Sequence, residues 1–187
     1  MRSAWIVATL LLSACAGVPA VDPSAVGVRP VNRSAVLSFR LEGRMAVRQD
    51  EARHHVRISW SHRTGADELL VSSPLGQGIA ELVRDGSGAR LTTAERRVFS
   101  APDWEALFAE VFGFHLPLAG LPRWLLADLP ANAVDDRGRP QSARAGDWTI
   151  SYLDYESEAP GALPVLIEFR RQGLEIRLKV DSWDLSP

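Results

Sequence analysis

Cysteine occurs once in this 187-residue chain, at Cys15, so no disulfide framework can hold the fold together. Basic residues show no surplus, since 21 Lys and Arg stand against 23 Asp and Glu, a formal net charge of −2. That balance leaves nothing to neutralise a phosphate backbone, and nucleic acid is not an expected partner. No apolar run approaches the ~20 residues that a membrane-spanning helix requires. A Gly-rich phosphate loop, a Gly-x-Ser-x-Gly elbow and a His-x-x-x-His helix pattern are also missing, which removes the common signals of nucleotide-driven work and of hydrolysis.

The N-terminus is informative. Arg2 precedes the short apolar stretch Ala4 to Leu12, and Leu12-Ser13-Ala14-Cys15 follows at once. Residues 1–14 read as a secretory signal, and the four-residue sequence is similar to the lipobox of bacterial lipoproteins, in which the thiol accepts diacylglycerol. Cys15 is therefore the expected lipid-attachment residue, with a covalent diacylglycerol and an N-acyl group and no other cofactor. Ala16 follows it where an Asp often marks inner-membrane retention, so the expected location is the outer membrane. Residues 15–36 hold Pro19, Pro23 and Pro30 and few large apolar residues, and they read as a tether of about 25 Å typical span. The folded domain is expected over residues 37–187.

Within that domain the apolar period is close to two, the mark of half-buried strands. Phe39, Leu41, Gly43, Met45 and Val47 alternate with Arg40, Glu42, Arg44 and Ala46, which places Arg40 and Arg44 on the wet face. Val56, Ile58 and Trp60 alternate in His54 to His62 in the same way. Leu69 to Ser73 and Ile79 to Arg84 form a hairpin around Pro74-Leu75-Gly76-Gln77-Gly78, and Asp85-Gly86 predicts a type I′ turn. Further strands are predicted at Trp148 to Tyr155, Val165 to Arg171 and Leu174 to Val180. Residues 131–145, rich in Asp, Arg and Gly, read as a linker of open role.

Two helices interrupt the strands. Ser100 with Asp103 is similar to a capping box, and Trp104, Leu107, Phe108, Val111 and Phe112 follow at helical spacing up to Gly113. Leu118 to Leu129, with Leu121, Trp124 and Leu125, predicts a second, more apolar helix. The expected fold is mainly β: a curved antiparallel sheet, an incomplete barrel, closed by a helical lid. Periodicity leaves two interiors open, a filled core and an apolar cavity. A cavity would be lined by Phe39, Leu41, Met45, Ile58, Trp60, Leu69, Val71, Ile167, Phe169, Ile176 and Leu178 from strands, and by Trp104, Leu107, Phe108, Val111, Leu121, Trp124 and Leu125 from helices.

Several segments in matching order resemble the LolB family: Gly43-Arg44-Met45-Ala46-Val47, Trp60, Leu69 to Gly76, Leu118 to Pro130, and Arg177 to Trp183. The resemblance implies a monomeric outer-membrane receptor, no enzyme, that takes acylated lipoprotein cargo from a LolA-like periplasmic carrier. It would hold the acyl chains in the cavity and insert the cargo among outer-membrane lipids. Without a nucleotide site, such transfer would run down a gradient of affinity. Leu75, a large apolar residue where turn chemistry favours polar ones, is the expected membrane-inserting residue. Two other readings remain: an envelope scaffold lipoprotein with a packed core, and a membrane-anchored hydrolase using His54, His55, His62 or His115.

Overall fold

Alternation over Phe39 to Val47 produces a long strand, because each second residue must face the same way and only one face can be dry. The computed structural model describes residues 32–112 and 118–185, without the side chains of Phe112 and Leu118. Cys15, the signal segment, most of the tether, Gly113 and His115 lie outside the described residues. Eleven strands form the sheet: β1 (Ser38–Gln49), β2 (Ala52–Arg63), β3 (Ala66–Ser72), β4 (Gly78–Asp85), β5 (Gly88–Thr93), β6 (Val98–Ala101), β7 (Ala131–Val134), β8 (Pro140–Ala145), β9 (Trp148–Tyr155), β10 (Pro164–Arg171) and β11 (Leu174–Asp184). The helices are α1 (Trp104–Phe112) and α2 (Leu121–Leu125), the latter preceded by a 3-10 turn at Leu118–Gly120.

All strand pairs are antiparallel and the order is β6-β5-β4-β3-β2-β1-β11-β10-β9-β8-β7. The chain thus makes two meanders, and the first strand zips to the last: Arg44 lies opposite Lys179 and Met45 opposite Leu178. β6 and β7 do not pair with each other, so the barrel stays open at that seam. The β1–β11 register slips at Glu42/Gly43, where a side chain on Gly43 would place its Cβ 2.7 Å from the Lys179 carbonyl oxygen. Only glycine allows the two backbones to approach this closely.

One inner-face row shows how the sheet makes its core. Leu41, Trp60, Leu69, Leu82, Leu91 and Phe99 stand directly opposite one another across β1 to β6. Trp148, Ile150, Tyr152, Ile167 and Phe169 continue the apolar face on β9 and β10. The helices cross this face: Trp104 of α1 stacks on Trp60 with ring centroids 6.1 Å apart, and Trp124 of α2 lies 6.0 Å from Trp148. Burying each such Leu or Phe contributes roughly 1.5–3 kcal/mol, which holds a short helix that is marginal in water by itself.

Several elements depart from the sequence expectation. Residues 131–145 are not a linker but contain the edge hairpin β7–β8, whose turn is held by Arg139 Nε donating to Asp135 at 2.7 Å. The Asp85-Gly86 hairpin turn implies a returning strand, which is β5, but neither its bounds nor β6 is predicted from sequence, because Ala, Thr and Arg dilute their apolar pattern. The Asp85-Gly86 turn is not type I′: the positive φ falls on Gly88 (+130°), and Asp85 Oδ1 accepts from the Ser87 backbone N–H at 2.7 Å. Ser100 sits in β6 and does not cap α1; Asp103 does, accepting from the Ala106 N–H at 2.8 Å. The second helix stops at Leu125, far short of Leu129, and Ala127 then takes φ +54°. The expected tether ends early: Arg33 donates to the Ala162 carbonyl at 2.7 Å and Ser34 Oγ to Asp128 at 2.7 Å, so the folded unit reaches back to Arg33.

Candidate lipid-handling face and membrane loop

The inner face is built by strand parity, and the residues singled out from sequence all come to it or to the helices above it. Phe39, Leu41, Ile58, Trp60, Trp104, Leu107, Trp124, Leu125, Ile167, Phe169, Ile176 and Leu178 are buried in one cluster. Leu41, Leu107 and Ile167 are 0% exposed, so no water-sized space adjoins them and the packing there is filled. Met45, Leu69, Val71, Phe108, Val111 and Leu121 are only partly buried against that cluster. Met45, Val56, Val71 and Ala80 lie toward the end of the sheet that carries the β1–β2, β3–β4, β5–β6 and β10–β11 connections.

Leu75 occupies the same end. Pro74-Leu75 forms the corner of a turn closed by Gly76 N–H donating to the Ser73 carbonyl at 2.9 Å, and Ser73 N–H donates to the Gln77 carbonyl at 2.8 Å. The Gln77 N–H also reaches Ser73 Oγ at 3.2 Å, and Gly76 takes φ +85°, where a side chain would be strained. The turn is thus pinned by its own backbone, and Leu75 does not fold back on the sheet: it is 91% exposed.

Arg40 and Arg44 stand on the outer, wet face, Arg40 donating to Ser61 Oγ at 3.3 Å and Arg44 forming a two-bond ion pair with Asp181 at 2.7 and 3.1 Å. His54 and His55 are exposed on β2. His62 lies on the inner face, its Nδ1 2.7 Å from Asp67.

Asp67 itself escaped the sequence reading. It is buried, at 6% exposure, and accepts from Trp60 Nε1 at 2.9 Å and from Arg84 Nε at 2.8 Å. Burial pushes its carboxyl up, but the hydrogen bonds from His62, Arg84 and Trp60 outweigh that and hold it below the usual carboxylate range. On the other flank Tyr152 donates to the Trp124 carbonyl at 2.8 Å and ties α2 to the sheet, and burial raises its phenol. Burial likewise pushes Tyr155 up to about 12. In α1 the Trp104 indole N–H is buried with no hydrogen-bond partner among the described residues, as is that of Trp148 in β9.

Among the described residues no helix is long and apolar enough to cross a membrane, and no group of three or more His, Cys, Asp or Glu could hold a metal ion. Residues 37–183 match the family model described as "Outer membrane lipoprotein LolB". The chain is 37% identical to the outer-membrane lipoprotein LolB of Azoarcus sp., covering 96% of this chain and 92% of that protein. It is 36% identical to the LolB of Thiobacillus denitrificans, covering 100% of both, and 35% identical to that of Dechloromonas aromatica, covering 100% and 99%. Among solved structures it is similar to a LolA superfamily protein from Nitrosomonas europaea, with a TM-score of 0.48 at 11% identity over 83% of this chain and 94% of that one. The match runs from β1 through Trp183 and holds over whole relatives, and the chain belongs to the LolB family of outer-membrane lipoproteins.

Proposed function

We propose that the domain receives the acyl chains of lipoproteins from a LolA-like periplasmic carrier, shelters them between the sheet and α1, and releases them into the outer membrane at the Leu75 loop. Family membership makes the chain a non-enzymatic lipoprotein of the localisation pathway. Cys15 serves as its lipid anchor, and the stretch between Cys15 and Arg33 lets the domain reach carrier and membrane in turn.

One observation carries this reading: Met45, Val47, Val56, Val71 and Ala80, inner-face residues that reach solvent, and the most exposed large apolar residue, Leu75, stand at the same end of the sheet. An acyl chain of ~16 carbons exposed to water costs on the order of 12 kcal/mol at ~0.8 per methylene, so a transfer protein must offer an apolar surface close to the point of release. The filled packing around Leu41 and Leu107 means that the chain enters by displacing α1 and not by dropping into a ready-made hole. The unpartnered Trp104 N–H supports a cover that moves, because a buried donor left unsatisfied costs about 1–3 kcal/mol and becomes solvated when the helix lifts.

Val71→Asp and Val111→Asp test the proposal. Both positions are partly exposed, so a charge there keeps contact with water and the domain should melt near the parent temperature. Uptake of a fluorescent diacyl lipopeptide should fall at least tenfold. Equal loss of stability and uptake would refute a binding surface at these residues. Unchanged uptake would remove them from it.

A further inference from the structure

The outer face of β10, β11, β1 and β2 carries a groove of about 350 Å³, with the basic residues Arg44, His55, Arg57, Arg177 and Lys179 around a mainly apolar wall completed by Met45, Ala46, Val56 and Leu166, and Pro74 at its rim. Its geometry follows from register. Arg57, Arg44 and Lys179 stand directly opposite one another on three neighbouring strands, and the next outward-facing row is His55, Ala46 and Arg177. The small side chain of Ala46 leaves room between the longer ones.

Three cations in one cross-strand row repel, because facing side chains on an antiparallel pair have Cβ atoms about 5 Å apart and like charges there destabilise the sheet. Part of that repulsion is offset from outside the groove: Arg44 pairs with Asp181 at 2.7 Å, Arg177 with Glu168 at 2.6 Å, and Lys179 lies 4.0 Å from Asp154. Arg57 has no carboxylate partner among the described residues, and no carboxylate lines the groove. A concave, cation-rimmed site with an unpaired guanidinium is complementary to a compact anion, and the planar donor fork of Arg suits phosphate oxygens.

The neighbouring loop indicates the source of the anion. Pro74 borders the groove and precedes Leu75, so a molecule that inserts Leu75 into a bilayer brings the groove to the lipid headgroups. Apolar groups of surface-bound proteins enter only about 5–10 Å below the headgroup boundary, which keeps phosphates within reach of the adjoining backbone. We propose that this groove binds the phosphodiester of anionic phospholipids and orients the domain on the membrane during delivery. The assignment rests on insertion of Leu75 as read above.

The test uses the mature chain from residue 15 onward carrying Cys15→Ala, so that neither the apolar signal segment nor an acyl anchor masks weak binding. Vesicles are phosphatidylcholine alone, or phosphatidylcholine with a third phosphatidylglycerol. Each cation near an anionic surface is worth about fivefold in binding, so Arg57→Gln with Lys179→Gln should bind phosphatidylglycerol vesicles about 25-fold more weakly and phosphatidylcholine vesicles as before. Leu75→Glu weakens binding to both vesicle types if the loop inserts, which separates failure of that reading from failure of the groove. Parental binding of the double variant to phosphatidylglycerol vesicles overturns the assignment. So does displacement from vesicles by millimolar inorganic phosphate at matched ionic strength, which would make the groove a free-anion site. A double variant that keeps vesicle binding but no longer accepts cargo from the carrier would overturn it in favour of protein docking.

Discussion

Replacing Leu75 by Glu should separate release into the membrane from folding and from acceptance of cargo. At 91% exposure the side chain contributes almost nothing to the core, and the turn beneath it is held by Ser73, Gly76 and Gln77 through backbone groups and one hydroxyl. Folding should therefore change by no more than about 0.5 kcal/mol, the usual range for a surface substitution. Nearly all of the leucine surface is available to a bilayer, and burying it is worth roughly 1.5–3 kcal/mol, or a factor of about 10 to 150 in membrane encounter. A glutamate removes that gain and adds a charge that resists insertion. The assay follows a labelled lipoprotein through two steps, carrier to receptor and receptor to liposome. The first step should proceed at the parental rate, the second should slow by at least tenfold, and loaded receptor should accumulate between them. Failure in the first step would mean that Leu75 handles cargo or carrier. Parental speed in the second would mean that its exposure has no part in release.

Gly43→Ala should lower the melting temperature markedly, because the new Cβ would lie 2.7 Å from the Lys179 carbonyl and must push β1 from β11; an unchanged melt would show that the bulge yields freely. Cys15→Ala should leave a folded, cargo-accepting domain that no longer fractionates with membranes, and a variant that still pellets with them would show another anchor. The lowered pKa of Asp67 sets an acid limit: the folded state prefers the ionised carboxylate, so its contribution is complete above the unfolded value of about 3.9 and is lost as pH falls through the lower folded one. Urea midpoints measured from neutral pH down to pH 2 should fall less steeply below pH 4 in Asp67→Asn than in the parent. Parallel curves would exclude Asp67 as the titrating group.

Local patterns made much of this protein legible. Period-two alternation over Phe39 to Val47, Val56 to Trp60 and Leu174 to Val180 needs no distant partner to be read, since parity along one strand decides which residues are dry. Leu75 was legible for a similar reason, as an apolar side chain in a turn flanked by Pro74 and Gly76. Residues 131–145, the bounds of β5 and the whole of β6 were not, because the propensities there are weak and it is pairing with neighbours that makes strands of them.

By its own order of residues, then, the chain determined its family, a lipobox-like sequence ending at Cys15, the wet and dry faces of its long strands and the odd leucine in its loop. Tertiary structure decided whatever depends on register between distant segments. Arg44 and Lys179 are far apart in sequence and become neighbours only when the first strand pairs with the last, so the row they form with Arg57 has no local signature. The same holds for Asp67, whose burial depends on Trp60, His62 and Arg84 arriving from two other strands. Whether the interior is filled was likewise decided by how α1 seats on the sheet, because helical periodicity states which face is apolar but not how closely that face approaches its partner.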